Sequence, residues 1–347
     1  MDFGLTGEQI ALREGLRRIL ASQPEGPWLW DALYERGVLA ALLPSDAGGT
    51  DGSGTIVAII CEELGRACAN VPVLDSVLVC ARLLAQHPDF EDLGEALMTG
   101  RQRAAFAGLE LETARYDWGS GVSVQGDRLT GQKLMVTGGD EADWIVVTTA
   151  DGLYLVARDV PGMSRRSTMM LGGLTGADLV FRDSPAVRIG GVEDDLQTIA
   201  RGVLGRCADA LGAMEATRDL TIEALRQRRG AGTGSRFRAD SRRLADMAIV
   251  LDHARSALVN FAIHADHTFA VQGWYAAAAK ATISHAARQV ADLAIAIHGA
   301  AALAEDGPIA PLLRRLWLDE MTFGERDHSV ALMVQKLWSA DRASRGG

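Results

Sequence analysis

The chain has 347 residues, of which 48% are apolar and 23% are charged. This is a globular composition and excludes a disordered chain. The formal net charge of −10 argues against a nucleic-acid surface. No apolar run approaches the roughly 20 residues that cross a bilayer, and no signal peptide is recognisable at Met1. We therefore expect a soluble, cytoplasmic protein that binds neither nucleic acid nor membrane.

The cysteines give no sign of a metal or redox site. Cys61, Cys68, Cys80 and Cys207 form no C-x-x-C motif and no spacing typical of metal ligands. Each lies in an apolar segment with helical spacing. We expect four reduced thiols in the core of a cytoplasmic protein, and no metal site.

Apolar residues at helical spacing predict an N-terminal α-helical domain over residues 1–103. Thr6 followed by Gln9 is typical of a capping box and is expected to open the first helix. Glycine and proline within residues 44–54 predict a loop. Further helices are predicted from Thr55 to a break at Asn70, and over Ser76–Ala85.

Between residues 104 and 190 the apolar period changes to two. This pattern predicts a small antiparallel β-domain, either a sandwich or a barrel. Turn pairs such as Gly126-Asp127 and Asp151-Gly152 separate the expected strands. The predicted strands cover residues 122–124, 128–130, 134–137, 144–148, 153–156, 179–181 and 186–189.

From residue 191 to residue 347 the helical period returns in long segments, which predict a four-helix bundle. The expected helices are Leu196–Arg228, Ser241–Thr268, Trp274–His298 and Pro308–Arg342. Helical domain, β-domain and bundle in this order define an α+β fold. The basic run over residues 226–243 suits anion binding or a solvated connection better than DNA.

Five short motifs, taken in order along the chain, resemble those of the acyl-CoA dehydrogenases. They are Glu62-Glu63-Leu64-Gly65-Arg66, GQKLMVT at residues 131–137, Ala210-Leu211-Gly212-Ala213, Leu244-Ala245-Asp246-Met247 and Ala296-Ile297-His298-Gly299. Together they extend over essentially the whole chain. The resemblance implies the fold of that family and an FAD-dependent oxidoreductase that forms a 2,3-enoyl-CoA from a CoA thioester.

The same resemblance places four residues near FAD, namely Thr137, Arg228, His298 and Gly299. Thr137 keeps the hydroxyl of the family's W-I-T motif, although Met135 replaces its tryptophan. Glu110 is what remains of the family's T-E-P loop, and Arg228 falls at the family spacing of its pyrophosphate arginine. In the family, the turn after the His-Gly pair lies against the FAD of a neighbouring subunit.

The residues themselves leave other interpretations of these positions open. Arg228 and Arg229 also suit a solvated helix end, where a positive charge is favourable. His298 follows a long apolar stripe and suits a core or interface position better than a catalytic one.

The family reaction needs a carboxylate that removes the α-proton of the substrate. Gly324 stands where the family's Y-E-G-T motif has its glutamate, and a second, branch-specific position falls near Gly202. Glycine cannot accept a proton, so the catalytic residue is left unknown. Glu325, Glu305 and Asp306 are the carboxylates nearby, and each is also typical of a protein surface.

An intact core pattern with an eroded cofactor site resembles one subunit of the heterotetrameric (α2β2) acyl-CoA dehydrogenases of actinobacterial steroid catabolism. This resemblance implies a homologous partner subunit that carries the base, a bulky acyl-CoA substrate such as a steroid side chain, and a separate electron acceptor. Two alternatives remain: a self-sufficient homotetramer that uses a displaced carboxylate such as Glu325, and a flavin-free structural subunit. A partner is expected to cover apolar faces of the bundle that carry Trp274, Tyr275, Trp317 and Trp338.

Overall fold

The computed structural model describes residues 4–22, 27–85, 87–108, 121–171, 174–228, 235–267, 269–324, 326–327, 329–331 and 333. Its N-terminal region is helical. The helices are α1 (Gly7–Ser22), α2 (Pro27–Glu35), α3 (Gly54–Arg66), α4 (Arg82–Leu84) and α5 (Glu91–Met98). The predicted capping box opens α1, because Thr6 N donates to Gln9 Oε1 at 3.0 Å and Gln9 N donates to Thr6 Oγ1 at 3.3 Å.

The helix predicted over Ser76–Ala85 has a different form. A π-helical segment covers Leu74–Ala81 and continues directly into α4. All eight residues of this segment are buried, including Asp75 and Ser76. Because no face of it meets water, its apolar period carries little information about the type of helix.

Eight strands form two four-stranded sheets. The strands are β1 (Ala104–Ala107), β2 (Val122–Gln125), β3 (Arg128–Thr137), β4 (Trp144–Thr149), β5 (Gly152–Ala157), β6 (Met163–Met169), β7 (Thr175–Pro185) and β8 (Val187–Gly190). The sheet orders are β1-β4-β5-β8 and β2-β3-β7-β6. Buried residues of both sheets, such as Val147 and Phe181, form one shared core, so the β-region is a sandwich.

The prediction of a purely antiparallel β-domain is wrong at one edge. Strand β1 pairs with β4 in parallel, and Ala104 lies opposite Trp144. Strand β6 was also missed, because most of its residues are exposed or half-buried and it lacks an alternating apolar pattern. The two strands predicted around Gly131 form one strand, β3, with irregular register against β7.

Among the described residues, four further helices with defined bounds follow the sandwich: α6 (Val192–Arg228), α7 (Ser235–His264), α8 (Phe269–His298) and α9 (Ala310–Met321). The predicted last helix over Pro308–Arg342 is interrupted, since α9 ends at Met321. Phe323 and Gly324 then have φ angles of 54° and 100°, which no α-helix accommodates. Residues 334–347 lie outside the described part of the chain.

A cluster of buried charges holds α9 against α6. Arg315 on α9 donates to both carboxylate oxygens of Asp209 on α6, at 2.7 and 2.6 Å, and to Ala69 O at 3.2 Å. Arg206 on α6 donates to Asp75 at 2.7 Å and to Asp319 at 3.5 Å. Burial and, second, the neighbouring Asp209 raise the pKa of Asp319 well above its usual range.

Three of the four cysteines match the prediction of core residues. Cys61, Cys80 and Cys207 are buried, whereas Cys68 is only half-buried, in the turn after α3. Burial raises the pKa of the Cys207 thiol to about 12, which keeps it protonated and unreactive. Among the described residues, no helix is long and apolar enough to span a membrane.

Arg315 and Asp319 should differ sharply in their effect on stability. Arg315→Met leaves the buried Asp209 carboxylate without its cation, which typically costs about 3–5 kcal/mol of the free energy of unfolding. Asp319→Asn keeps the size of a side chain whose charged form burial already disfavours, so it should cost no more than about 1.5 kcal/mol, the size of one hydrogen bond. Urea unfolding of the two variants measures the difference, and equal losses would contradict the raised pKa of Asp319.

Candidate active site and cofactor site

Gly202 on α6 lies directly against the ring of Phe323. A Cβ atom built on Gly202 would come within 2.2 Å of Phe323 Cε1. The ring is 3% exposed and stacks on Phe106 of β1, with centroids 5.4 Å apart and planes 13° apart. The ring therefore fills the space that a side chain at position 202 would need, and only glycine fits there.

The loop that carries Phe323 is held at the end of α9. The buried Lys280 of α8 donates its Nζ to Thr322 O at 2.7 Å and also to Asp319 O. Gly324 follows with a φ angle of 100°, a conformation in which any side chain is strained. Neither of the two positions that the family resemblance implies for the base can thus carry a carboxylate without rearrangement.

Among the described residues, the carboxylates that could replace the missing base do not lie at this loop. Glu305 and Asp306 are exposed in the turn before α9. The twelve residues of α9 separate that turn from Phe323 by about 18 Å, at 1.5 Å per residue. Glu325 and Glu110 lie outside the described residues, so Glu325 remains a prediction from the sequence.

Three of the four predicted cofactor residues lie together at the end of α8. Arg228, the last residue of α6, donates Nη1 to Ile297 O at 2.7 Å and Nη2 to His298 O at 3.4 Å. Gly299 follows with a φ angle of 69°, typical of a residue that ends a helix. The guanidinium thus caps α8, where the helix dipole favours a positive charge. Arg229 lies outside the described residues.

His298 is a buried residue of this corner. Its Nε2 lies 3.1 Å from Thr221 Oγ1 on α6. Burial and, second, the charge of Arg228 lower the pKa of His298. The ring joins α8 to α6, as expected of a core histidine.

Thr137, the fourth predicted residue, lies apart from these three, at the end of β3. It is buried, whereas Met135 is half exposed and has a φ angle of 46°. Met135 N donates to Asp178 Oδ1 at 3.0 Å. The sequence analysis missed Lys133 of the same strand, which is fully buried and donates to Thr148 Oγ1 at 2.8 Å.

The comparisons with known proteins agree with this architecture. Residues 190–337 match the family model "Acyl-CoA dehydrogenase, C-terminal domain", and residues 8–89 match "Acyl-CoA dehydrogenase, N-terminal domain". These two models extend over roughly two thirds of the chain. The chain therefore belongs to the acyl-CoA dehydrogenase family, whose members are oxidoreductases that act on CH–CH bonds with FAD as cofactor.

Individual relatives are distant. Acryloyl-CoA reductase (NADH) of Anaerotignum propionicum is 27% identical, over 96% of this chain and 95% of its own length. A Tcur3481–Tcur3483 steroid ACAD variant has a TM-score of 0.88 at 24% identity, covering 96% of this chain and 99% of its own. The ChsE4–ChsE5 complex from Mycobacterium tuberculosis has a TM-score of 0.87 at 23% identity, covering 97% and 99%. At these identities the two structures establish the shared fold.

The residues present fit the pyrophosphate end of FAD. A guanidinium has five N–H donors, and Arg228 uses two nitrogens on the carbonyls of α8. Its remaining donors stay available to an anion, because the residue is exposed. At the flavin end the sequence predicts only the hydroxyl of Thr137, since Met135 stands in place of the family's tryptophan.

Arg228→Ala tests the predicted contact with FAD. Loss of a charge-assisted hydrogen bond, worth roughly 1.5–3 kcal/mol, should weaken flavin retention by about tenfold or more. The flavin content of the purified complex, read from its visible absorbance after dialysis, measures this. Arg226→Ala is the matched control, because Arg226 is exposed and pairs only loosely with Glu223, at 3.8 Å. Unchanged flavin content in Arg228→Ala would assign Arg228 to helix capping alone.

Proposed function

We propose that this chain is one subunit of a heteromeric, FAD-dependent acyl-CoA dehydrogenase whose catalytic base lies on a homologous partner chain. The observation that carries the proposal is the closed contact between Gly202 and Phe323. At one base position the ring excludes any side chain, and at the other Gly324 has a backbone angle that favours glycine. A carboxylate for α-proton removal must then come from elsewhere.

The chain also has apolar surface that a partner would cover. Trp317 and Met321 on α9 are 47% and 46% exposed. Leu318 of the same helix packs with Met170 and Leu174, next to the exposed Met169. Large exposed apolar side chains grouped along one contact are typical of subunit interfaces.

The aromatic residues predicted at the interface contribute unequally. Trp274 and Tyr275 are half-buried within the chain, and Tyr275 stacks on His264 at 3.9 Å between centroids, so the expectation of exposed faces there is wrong. Trp317 remains exposed, with Arg288 5.5 Å above its ring. Trp338 lies outside the described residues. We therefore centre the proposed interface on α9.

In the proposed assembly, this chain contributes cofactor contacts and not the base. Arg228 would hold the pyrophosphate of the partner's FAD, and the turn at His298 and Gly299 would pack beside it. Thr137 would supply a hydroxyl near the flavin bound by its own chain. FAD, when bound, supplies the acceptor for the substrate's β-hydride, and a separate electron acceptor would reoxidise it.

For the substrate we propose a CoA thioester with a bulky acyl group such as a steroid side chain. Two of the structural neighbours support this proposal. One is the Tcur3481–Tcur3483 steroid ACAD variant, and the other is the ChsE4–ChsE5 complex. The product would be the 2,3-enoyl-CoA.

Glutamate variants in the intact complex separate a base on this chain from a base on its partner. Loss of a general base typically lowers the rate by 10²–10⁴-fold. We expect Glu325→Gln to change kcat by less than about tenfold, because the base is on the other chain. Glu305→Gln is the matched control, since Glu305 is exposed at the far end of α9. Steady-state kinetics with an acyl-CoA and an artificial electron acceptor measure both variants.

One result would contradict the assignment of the base to the partner chain. If Glu325→Gln alone abolishes turnover while flavin content and assembly stay unchanged, Glu325 is the base. The chain would then be a self-sufficient dehydrogenase.

A further inference from the structure

A cavity of about 260 Å³ lies between the π-helical segment, the first turns of α6 and the α7–α8 turn. Two arginines line it, Arg82 of α4 and Arg201 of α6. Since one water molecule takes up roughly 30 Å³ of liquid, the cavity has room for an organic ion of several atoms. Its apolar wall consists of the buried side chains of Leu78, Val79, Leu83 and Ala265.

The two arginines differ in their partners. Arg201 pairs with Asp266, and the other oxygen of Asp266 accepts a hydrogen bond from Gly54 N at 3.1 Å. Both oxygens of this carboxylate are thereby occupied. Arg82 Nη1, in contrast, is buried and has no hydrogen-bond partner within the described part of the chain. Arg82 is half-buried and lines the cavity, so the cavity is lined by a cation that has no ion pair among the described residues.

The surrounding charges leave Arg82 short of a counter-ion. Burial and, second, the charge of Arg201 lower the pKa of Arg82 to about 10, although Asp266 and Asp46 act to raise it. Arg82 is thus still positive at neutral pH. The remaining acid of the cavity, Asp194, accepts a hydrogen bond from Gly191 N at 2.7 Å. A half-buried cation without a counter-ion costs free energy, and an anion bound in the cavity would supply that counter-ion.

We propose that this cavity is a binding site for an aliphatic carboxylate, with Arg82 as its ligand. A planar guanidinium matches the geometry of a carboxylate, and the apolar wall suits the carbon chain behind it. The carboxylate belongs either to a free organic acid or to the far end of an acyl group. This inference goes beyond the proposed function and is tested by binding without turnover, so failure of one is distinguishable from failure of the other.

Calorimetric titration of the full chain, in its complex, with glutarate tests the site. We expect saturable binding that Arg82→Leu weakens by at least tenfold, because a charge-assisted hydrogen bond is lost. Without ligand, the same variant should unfold at a higher temperature than the parent chain, since a half-buried cation without a counter-ion is removed. Arg82→Lys, which keeps the charge but not the planar fork, should bind glutarate several-fold more weakly than the parent chain.

Arg36→Leu is the matched control, because Arg36 is an exposed arginine in the turn after α2, and it should leave glutarate binding unchanged. Glutaryl-CoA and butyryl-CoA distinguish the two sources of the carboxylate. Tighter binding of glutaryl-CoA, lost in Arg82→Leu, identifies an acyl terminus, whereas binding of glutarate alone identifies a free acid. The proposal is overturned if glutarate does not bind, if Arg82→Leu binds it unchanged, or if inorganic phosphate binds in preference to it.

Discussion

The position of α9 against α6 is set by charges buried between the two helices, and the candidate active site depends on that position. Arg315 donates to both oxygens of Asp209. This bidentate contact fixes the rotation of α9 about its own axis and its position along α6. Asp319, one turn further on, faces Arg206. With α9 held in this way, its end falls where Phe323 meets Gly202. The ionic contacts thus determine which side chain closes the site.

Buried ion pairs are an expensive means of fixing two helices, because desolvation offsets much of their attraction. Their advantage over an apolar contact is geometric, since a bidentate pair tolerates little sliding. Lys280 extends the same constraint beyond the helix by binding Thr322 O. The loop at Phe323 and Gly324 is therefore tied to α8 as well as to α9. A closed site on this chain fits the proposal that the partner chain removes the proton.

The sequence predicted the order of helical region, β-region and helical bundle, because each has its own apolar period. The capping box of Thr6 and Gln9 was predictable for a similar reason, since it depends on residues three apart. The parallel pairing of Ala104 with Trp144 was not, because it joins distant segments with no local signal. Strand β6 has mostly exposed and half-buried residues and lacks an apolar pattern.

The candidate site, like the fold, was predictable from the sequence only in part. The glycines at positions 202 and 324 were visible as missing carboxylates, and the cluster of Arg228 with His298 followed from the family resemblance. That the ring of Phe323 fills the space above Gly202 depends on a contact between two distant helices. The unsatisfied N–H of Arg82 likewise appears only once burial and hydrogen bonds are known. The sequence therefore shows that a carboxylate is absent at position 202, whereas only the packing shows that the ring of Phe323 fills its space.

Native mass spectrometry of the chain co-expressed with a homologous partner tests the proposed pairing, because it counts chains and flavins in one particle. We predict a complex with equal numbers of the two chains and fewer FAD molecules than chains. Expressed alone, the chain should carry no FAD. A homotetramer of this chain alone, with one FAD in every subunit, would rule out the pairing.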